Sequence, residues 1–271
     1  MKRRSFLKKI LAAGIVAGSI ASYPLLIEPN IIVKSEVHIK IEEIEKSIIN
    51  IVHITDLHLK SYGLREKEAI KLINSTKKDL IVITGDFIEN REGITHLKFF
   101  LSELKNDAPI YAVLGNWDYW SNSLNELTST LKNYNIKLLV NENIKESVGS
   151  NEFYIVGVDD PYTERSNIKK ALNNIEKGKP MILLTHSPQI IDEAVSNRIN
   201  LVLAGHTHGG QINIPIIGPP FIPLPEKYKK YSSGQYKLEE TIMYVNRGIG
   251  TSIANIRFLC PPEIAVIKIY N

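Results

Sequence analysis

The sequence predicts an α/β protein in which helices cover buried sheets, and three observations carry that expectation. Short apolar runs of strand length recur along the chain, each ending in a polar residue. Amphipathic stretches lie between several of them. At 271 residues and 44% hydrophobic composition, the chain can also bury a sizeable core, and its length fits one large domain at least as well as two small ones.

In chain order, the apolar runs are IVHITDLH at 51–58, LIVITGD at 80–86, IYAVLGNWD at 110–118, FYIVGVDD at 153–160, MILLTH at 181–186, LVLAGHTH at 201–208 and MYVNRG at 243–248. Each has the length and branched-residue content of a strand buried on both faces. The stretches near 65–78, 94–106, 122–133, 166–176 and 188–197 read as helices. Such alternation is the signature of sheets flanked by helices. No internal repeat is present, and the one compositionally odd segment is IPIIGPPFIPLPEKYKKYSSG, after GHTHGGQ.

Residues 1–21 are set apart from the fold. They combine a basic start, a modest apolar run over 10–21, and Ser19 and Ala21 placed like a cleavage site, which reads as a secretory signal or an uncleaved anchor. Arg3 and Arg4, followed by Ser5, Phe6, Leu7 and Lys8, resemble the twin-arginine export motif. The expected organisation is this signal segment, a lead-in and first strand region over 22–49, and a catalytic domain over 50–271. Export by the twin-arginine machinery implies an extracytoplasmic protein that crosses the membrane already folded.

The signal segment holds five basic and no acidic residues, so the formal charge of +4 falls to 28 bases against 29 acids without it. No electrostatic footprint of a nucleic-acid binder remains. A single cysteine, Cys260, excludes an internal disulfide and any zinc site built from several thiolates. A metal would therefore have to be held by histidine, carboxylate and amide groups.

Those groups stand at the strand ends: Asp56 and His58, Asp86, Asn116, His186, and His206 with His208. Ligand-binding residues of open α/β sheets collect outside the carboxyl ends of strands, so five runs deliver donors to one rim. Nitrogen and oxygen donors without sulfur suit Mn²⁺, Fe or Zn²⁺.

In order, Asp56-Leu57-His58, Gly85-Asp86, Gly115-Asn116-Trp117-Asp118, His186 and Gly205-His206-Thr207-His208 resemble the motif set of the calcineurin-like metallophosphoesterases. The resemblance covers about residues 50–270. The GHTHGGQ form, the segment VNRGIGTS and the apparent export signal are most similar to the bacterial YkuE/YaeI-like phosphodiesterase branch. It implies a sandwich of two mixed sheets flanked by helices, four layers in the order αββα. It further implies two divalent ions, Asp56, His58, Asp86 and His208 holding one and Asp86, Asn116, His186 and His206 the other. Asp56, Asp86, Asn116 and His186 are accordingly the expected catalytic residues, with a metal-bridging hydroxide as nucleophile. Trp117 departs from the pattern, because most relatives carry a histidine there that Asp118 would orient.

The remaining polar residues have plainer readings. His38, His53 and His96 are expected to be structural or surface histidines, and Asp159 and Asp160 to shape a turn. Arg247 could reach a phosphate or join a surface ion pair. The loop over 212–231 could rest on a lipid surface, close as a lid, or simply pack. With every expected ligand present, an extracytoplasmic phosphoesterase is favoured over a silent metal-bound binding module, or over a UDP-2,3-diacylglucosamine-type pyrophosphatase, whose substrate is cytoplasmic. The substrate is expected to be a phosphoester, with lipid or envelope-linked esters and contact with a membrane surface among the options.

Overall fold

The computed structural model of the chain describes residues 22–45, 48–105 and 107–271. Residues 1–21, which the sequence reads as a signal segment with Arg3 and Arg4, lie outside the described residues. Two sheets of six strands form the centre. The first runs β1 (Val33–Lys40), β12 (Glu263–Tyr270), β2 (Ile49–Ile54), β3 (Leu80–Thr84), β4 (Ile110–Val113) and β5 (Ile136–Leu138). The second runs β10 (Gly234–Leu238), β11 (Thr241–Val245), β9 (Leu201–Ala204), β8 (Met181–Leu184), β7 (Asn151–Gly157) and β6 (Glu142–Val148). Both are mixed: β2, β3, β4 and β5 are parallel, as are β7, β8, β9 and β11, while the β12–β2, β10–β11 and β6–β7 pairs are antiparallel.

Strand alternation explains the layering. Ile51, Val82, Tyr111 and Ile267 of the first sheet meet Ile155, Ile182, Leu184 and Leu203 of the second, forming the core between them. The other face of the first sheet, with Val52, Ile54, Ile81 and Ile83, packs under α1 (Leu64–Ser75), α2 (Gly93–Glu103) and α4 (Leu124–Asn133). The outer face of the second, with Val156, Leu183 and Val202, packs under α5 (Ile168–Ala171) and α6 (Ile191–Ser196). This is the four-layer αββα arrangement. Both faces of the inner strands are buried, which is why they read as continuous apolar runs.

Several boundaries differ from the sequence reading. The helix expected over 166–176 is a single turn, because Asn173 and Asn174 follow it and Asn174 takes a left-handed φ of 62°. The one expected over 188–197 opens as a 3₁₀ turn at Pro188–Ile190 before α6. The lead-in over 22–49 contributes β1, paired in parallel with β12, so it is part of the first sheet. A short helix, α3 (Asn116–Trp120), begins at a candidate ligand.

Candidate metal centre

The carboxyl ends of β2, β3 and β4 deliver Asp56 and His58, Asp86 and Asn116, and those of β8 and β9 deliver His186, His206 and His208. Both sheets therefore contribute to one buried rim. Within it, Asp56, His58 and His208 form one group whose donor atoms lie within 4.8 Å of one another, and Asp86, His186 and His206 form a second. Asp86 lies against both: its Oδ2 is 3.4 Å from His58 Nε2 and 3.2 Å from His186 Nε2.

Local backbone shape makes this convergence possible. Asp56, His58, Asp86, His206 and His208 all have positive φ, between 42° and 71°. Left-handed backbone is costly for non-glycine residues and clusters at functional sites. Here it turns successive polar side chains out of the strand direction and into the rim. Two glycines permit the close packing: a Cβ on Gly115 would strike the Asp86 carboxylate, and one on Gly205 would strike Thr55 and Asp56.

Each of three imidazoles presents its second nitrogen to an oxygen. His186 Nδ1 is 2.7 Å from the Thr84 carbonyl, His206 Nε2 is 2.9 Å from the Pro223 carbonyl, and His58 Nδ1 is 3.2 Å from Glu89. The two carbonyl partners fix ring orientation and tautomer, as is usual for metal-ligating histidines, whereas Glu89 acts on His58 by charge, since neither His58 Nδ1 nor Glu89 Oε1 makes a hydrogen bond. The inward nitrogens then meet in pairs, His58 with His208 at 3.0 Å and His186 with His206 at 3.1 Å. Burial opposes charge on every ring. Neighbouring Asp56, Glu89 and Asp86 nevertheless push His58 up to about 9, and Asp86 raises His186. Burial and the His186 charge push His206 down to about 4, and burial lowers His208 well below its ordinary value. Within each close pair, the neighbouring carboxylates favour charge on one ring while burial disfavours it on the other.

The residues present fit two cations. Asp56 Oδ1 and Asn116 Oδ1 are buried without a hydrogen-bond partner, although Asp56 Oδ2 accepts from the His206 amide at 3.0 Å. Unpaired buried oxygens are costly, and a cation beside the inward nitrogens would satisfy them. Cys260 supplies no ligand here, since its thiol is buried against the His208 carbonyl at 3.3 Å.

Supporting residues behave differently from one another. Asp118 accepts the backbone amides of Gly115, Asp86 and Phe87, so it ties the ends of β3 and β4 together; burial and the Asp86 charge push it up to about 7. The Arg247 side chain pairs with Glu263 at 3.2 Å, the ion-pair arrangement of its two readings. His53 is buried against Thr84, and Asp160 caps the turn amides of Tyr162 and Thr163.

The rim opens into a cleft of about 220 Å³. Trp117, Trp120 and Tyr162 line it with Phe221 and Ile253. Tyr162 leans on His206 at 4.5 Å between ring centroids, and Trp117 meets His58 edge-on at 5.9 Å. Trp120 is one helical turn from Trp117, a spacing that places both on one face, whereas nothing local in the sequence marks Tyr162 or Glu89.

Arg257 is a second feature that the motifs do not reveal. Fully buried, it donates to the carbonyls of His208, Arg247, Gly248, Gly250 and Cys260, and so joins the GHTH turn to the 247–250 loop. Arg257→Met is expected to leave those buried carbonyls unpaired and to cost about 3 kcal/mol or more. Urea unfolding should show this as a midpoint lower by roughly 1 M, and an unchanged midpoint would refute it.

Comparison with known proteins agrees with this geometry. Residues 49–210 match the calcineurin-like phosphoesterase family. The chain is 33% identical to the Bacillus subtilis metallophosphoesterase YkuE, over 99% of this chain and 98% of that one. It is 31% identical to the Bacillus subtilis metallophosphoesterase YkoQ, over 82% and 83% of the two chains. With the Escherichia coli phosphodiesterase YaeI it shares 29% identity over 81% of each. Two buried histidine–carboxylate groups at the carboxyl ends of facing sheets, in a chain so matched, make it a metal-dependent hydrolase that belongs to the calcineurin-like phosphoesterase family.

Proposed function

We propose that the protein hydrolyses phosphodiesters at a centre of two divalent cations, and that it works outside the cytoplasm. The observation that carries the reading is the pair of buried groups lying against each other through Asp86. Asp56, His58 and His208 would hold one cation together with Asp86, and Asn116, His186 and His206 would share Asp86 around the other. When bound, such a pair acidifies a water and stabilises charge on the phosphoryl, attacking and leaving oxygens. The Thr84 and Pro223 carbonyls keep two of the rings aimed inward, which limits reorganisation during the reaction. Trp117, Trp120 and Tyr162 give the ester substituent an apolar wall. The phosphodiesterase relative supports a diester as substrate. Mn²⁺, Fe and Zn²⁺ all suit this nitrogen and oxygen donor set.

The test joins metal analysis to a substrate screen. Active protein is expected to carry two ions per chain, to lose activity on chelation, and to cleave aryl diesters ahead of aryl monoesters and nucleotide diphosphates. One ion or none in fully active protein would sink the dinuclear reading.

The extracytoplasmic part rests on Arg3, Arg4 and the following Phe6, Leu7 and Lys8. A double Arg3→Lys, Arg4→Lys variant is expected to accumulate in the cytoplasm. Cell fractionation checks this, and unchanged export of the variant would point to another route.

A further inference from the structure

Three adjoining segments, two of which reach the cleft through Phe221 and Ile253, expose a group of apolar side chains, here called the crescent. In the first, Tyr23–Ile27, the side chains of Leu25, Leu26 and Ile27 are exposed. It is tied to the loop over 252–260: the Pro24 carbonyl accepts the Arg257 amide at 2.8 Å, and the buried Glu28 carboxylate accepts the amides of Leu259 and Cys260. That loop exposes Ile253 and Leu259. Its Phe258 bridges to Ile212, where the third segment begins and goes on to expose Ile216, Ile217 and Phe221. Phe221 and Ile253 also line the cleft beside Trp117, Trp120 and Tyr162. A cluster of large exposed apolar side chains on adjoining segments is the kind of surface that marks an interaction site.

Two details show that these side chains are presented rather than left over. Ile216 and Ile253 have φ of 74° and 63°, a left-handed backbone that β-branched residues tolerate poorly. Glycine or asparagine would suit both backbones better, so the isoleucine side chain is what each position supplies. The lysines of the following stretch are already engaged: Lys227 with Asp192, Lys229 with Glu226, and Lys230 over the Tyr231 ring. The crescent therefore offers apolar contact more than positive charge.

The chain itself indicates what covers it. Ser22, where the described residues begin, leads straight into the crescent, and the sequence before it is the apolar run over 10–21. Retained as an uncleaved anchor, an apolar run of that kind favours a lipid phase and would bring the attached crescent to the same surface. Tryptophan and tyrosine at the rim suit the headgroup level of a bilayer. We propose that the crescent docks the cleft mouth on a lipid bilayer, so that the phosphoesters it cleaves are those held at that surface. This rests on the phosphoesterase reading for its substrate and on the crescent alone for its docking.

Trp117 and Trp120 are the only two tryptophans in the chain, and both line the cleft, so emission reports on the cleft mouth. The full chain, loaded with Mn²⁺, is mixed with phosphatidylcholine vesicles whose acyl chains are plain or brominated. A blue shift is expected with the first and a loss of emission with the second. A triple Leu26→Ser, Ile216→Ser, Ile217→Ser variant should need about tenfold more lipid or above for the same change. None of its three sites lines the cleft, so its rate on a soluble aryl diester should stay at the parent level, which also shows that it is folded. An aryl diester carrying an alkyl chain and held in the vesicles should be cleaved about tenfold faster than its chainless analogue by the parent, and the variant should lose that preference. No blue shift or quenching in the parent overturns the docking, even if residues 1–21 hold the protein on the vesicle. Undiminished quenching, or an undiminished preference, in the triple variant overturns the crescent as its cause. Quenching without cleavage of either diester leaves the docking standing and counts against the phosphoesterase reading instead.

Discussion

Asp86→Asn is expected to lower kcat on every phosphoester by about 10³-fold or more, the order lost when one electrostatic element of a preorganised site is removed. The substitution keeps shape and can keep the 2.8 Å bond that Asp86 Oδ1 accepts from the Trp117 amide, but it removes the charge that both histidine groups face. Bound metal should fall together with the rate, because this carboxylate is the contact common to the two groups. Metal content, rate and circular dichroism measured on the same preparation decide the matter. A variant that stays folded, binds two ions and retains more than a tenth of the rate would remove Asp86 from the centre of the mechanism.

The second large effect is expected at Trp117, where related phosphoesterases are expected to carry a histidine. Its indole lines the cleft and can donate a hydrogen bond, yet it has no pKa that would serve a general acid. Acid catalysis typically contributes about 10²–10⁴-fold, so its loss should weigh most on alcohols that leave poorly. Aryl diesters should accordingly be cleaved far faster than alkyl ones, with a steep dependence of rate on leaving-group pKa. Trp117→His should raise alkyl rates by about 10²-fold and change aryl rates little, which flattens the slope. Asp118 has little capacity left to orient the new imidazole, because its oxygens already accept three amides, those of Gly115, Asp86 and Phe87, and only Oδ1 keeps room for another bond. The gain should therefore fall toward the lower end of that range. Equal, shallow slopes in both proteins would mean that another group lining the cleft already supplies the proton.

The sequence alone determined the class of fold and the roster of residues at the rim. Buried inner strands must be apolar on both faces, so IVHITDLH, LIVITGD, MILLTH and LVLAGHTH stand out, and the polar residue that ends each run marks the sheet edge where Asp56, Asp86, His186 and His206 meet. Edge strands were less legible: β1 alternates exposed and buried positions, and its pairing with β12 joins the two ends of the chain. The helix at α5 stops after one turn where the chain reaches Asn173 and Asn174, the latter in a left-handed backbone that asparagine tolerates. Only the tertiary structure decided how the donors divide into two groups, since that depends on left-handed φ at five residues and on two sheets approaching through Gly115 and Gly205. It also decided the parts played by Glu89, Tyr162, Arg257 and Glu28. Their partners lie far along the chain or on other elements, as with Glu28 and the Cys260 amide, and the side-chain periodicities that betray helices and strands carry no record of contacts made across such distances.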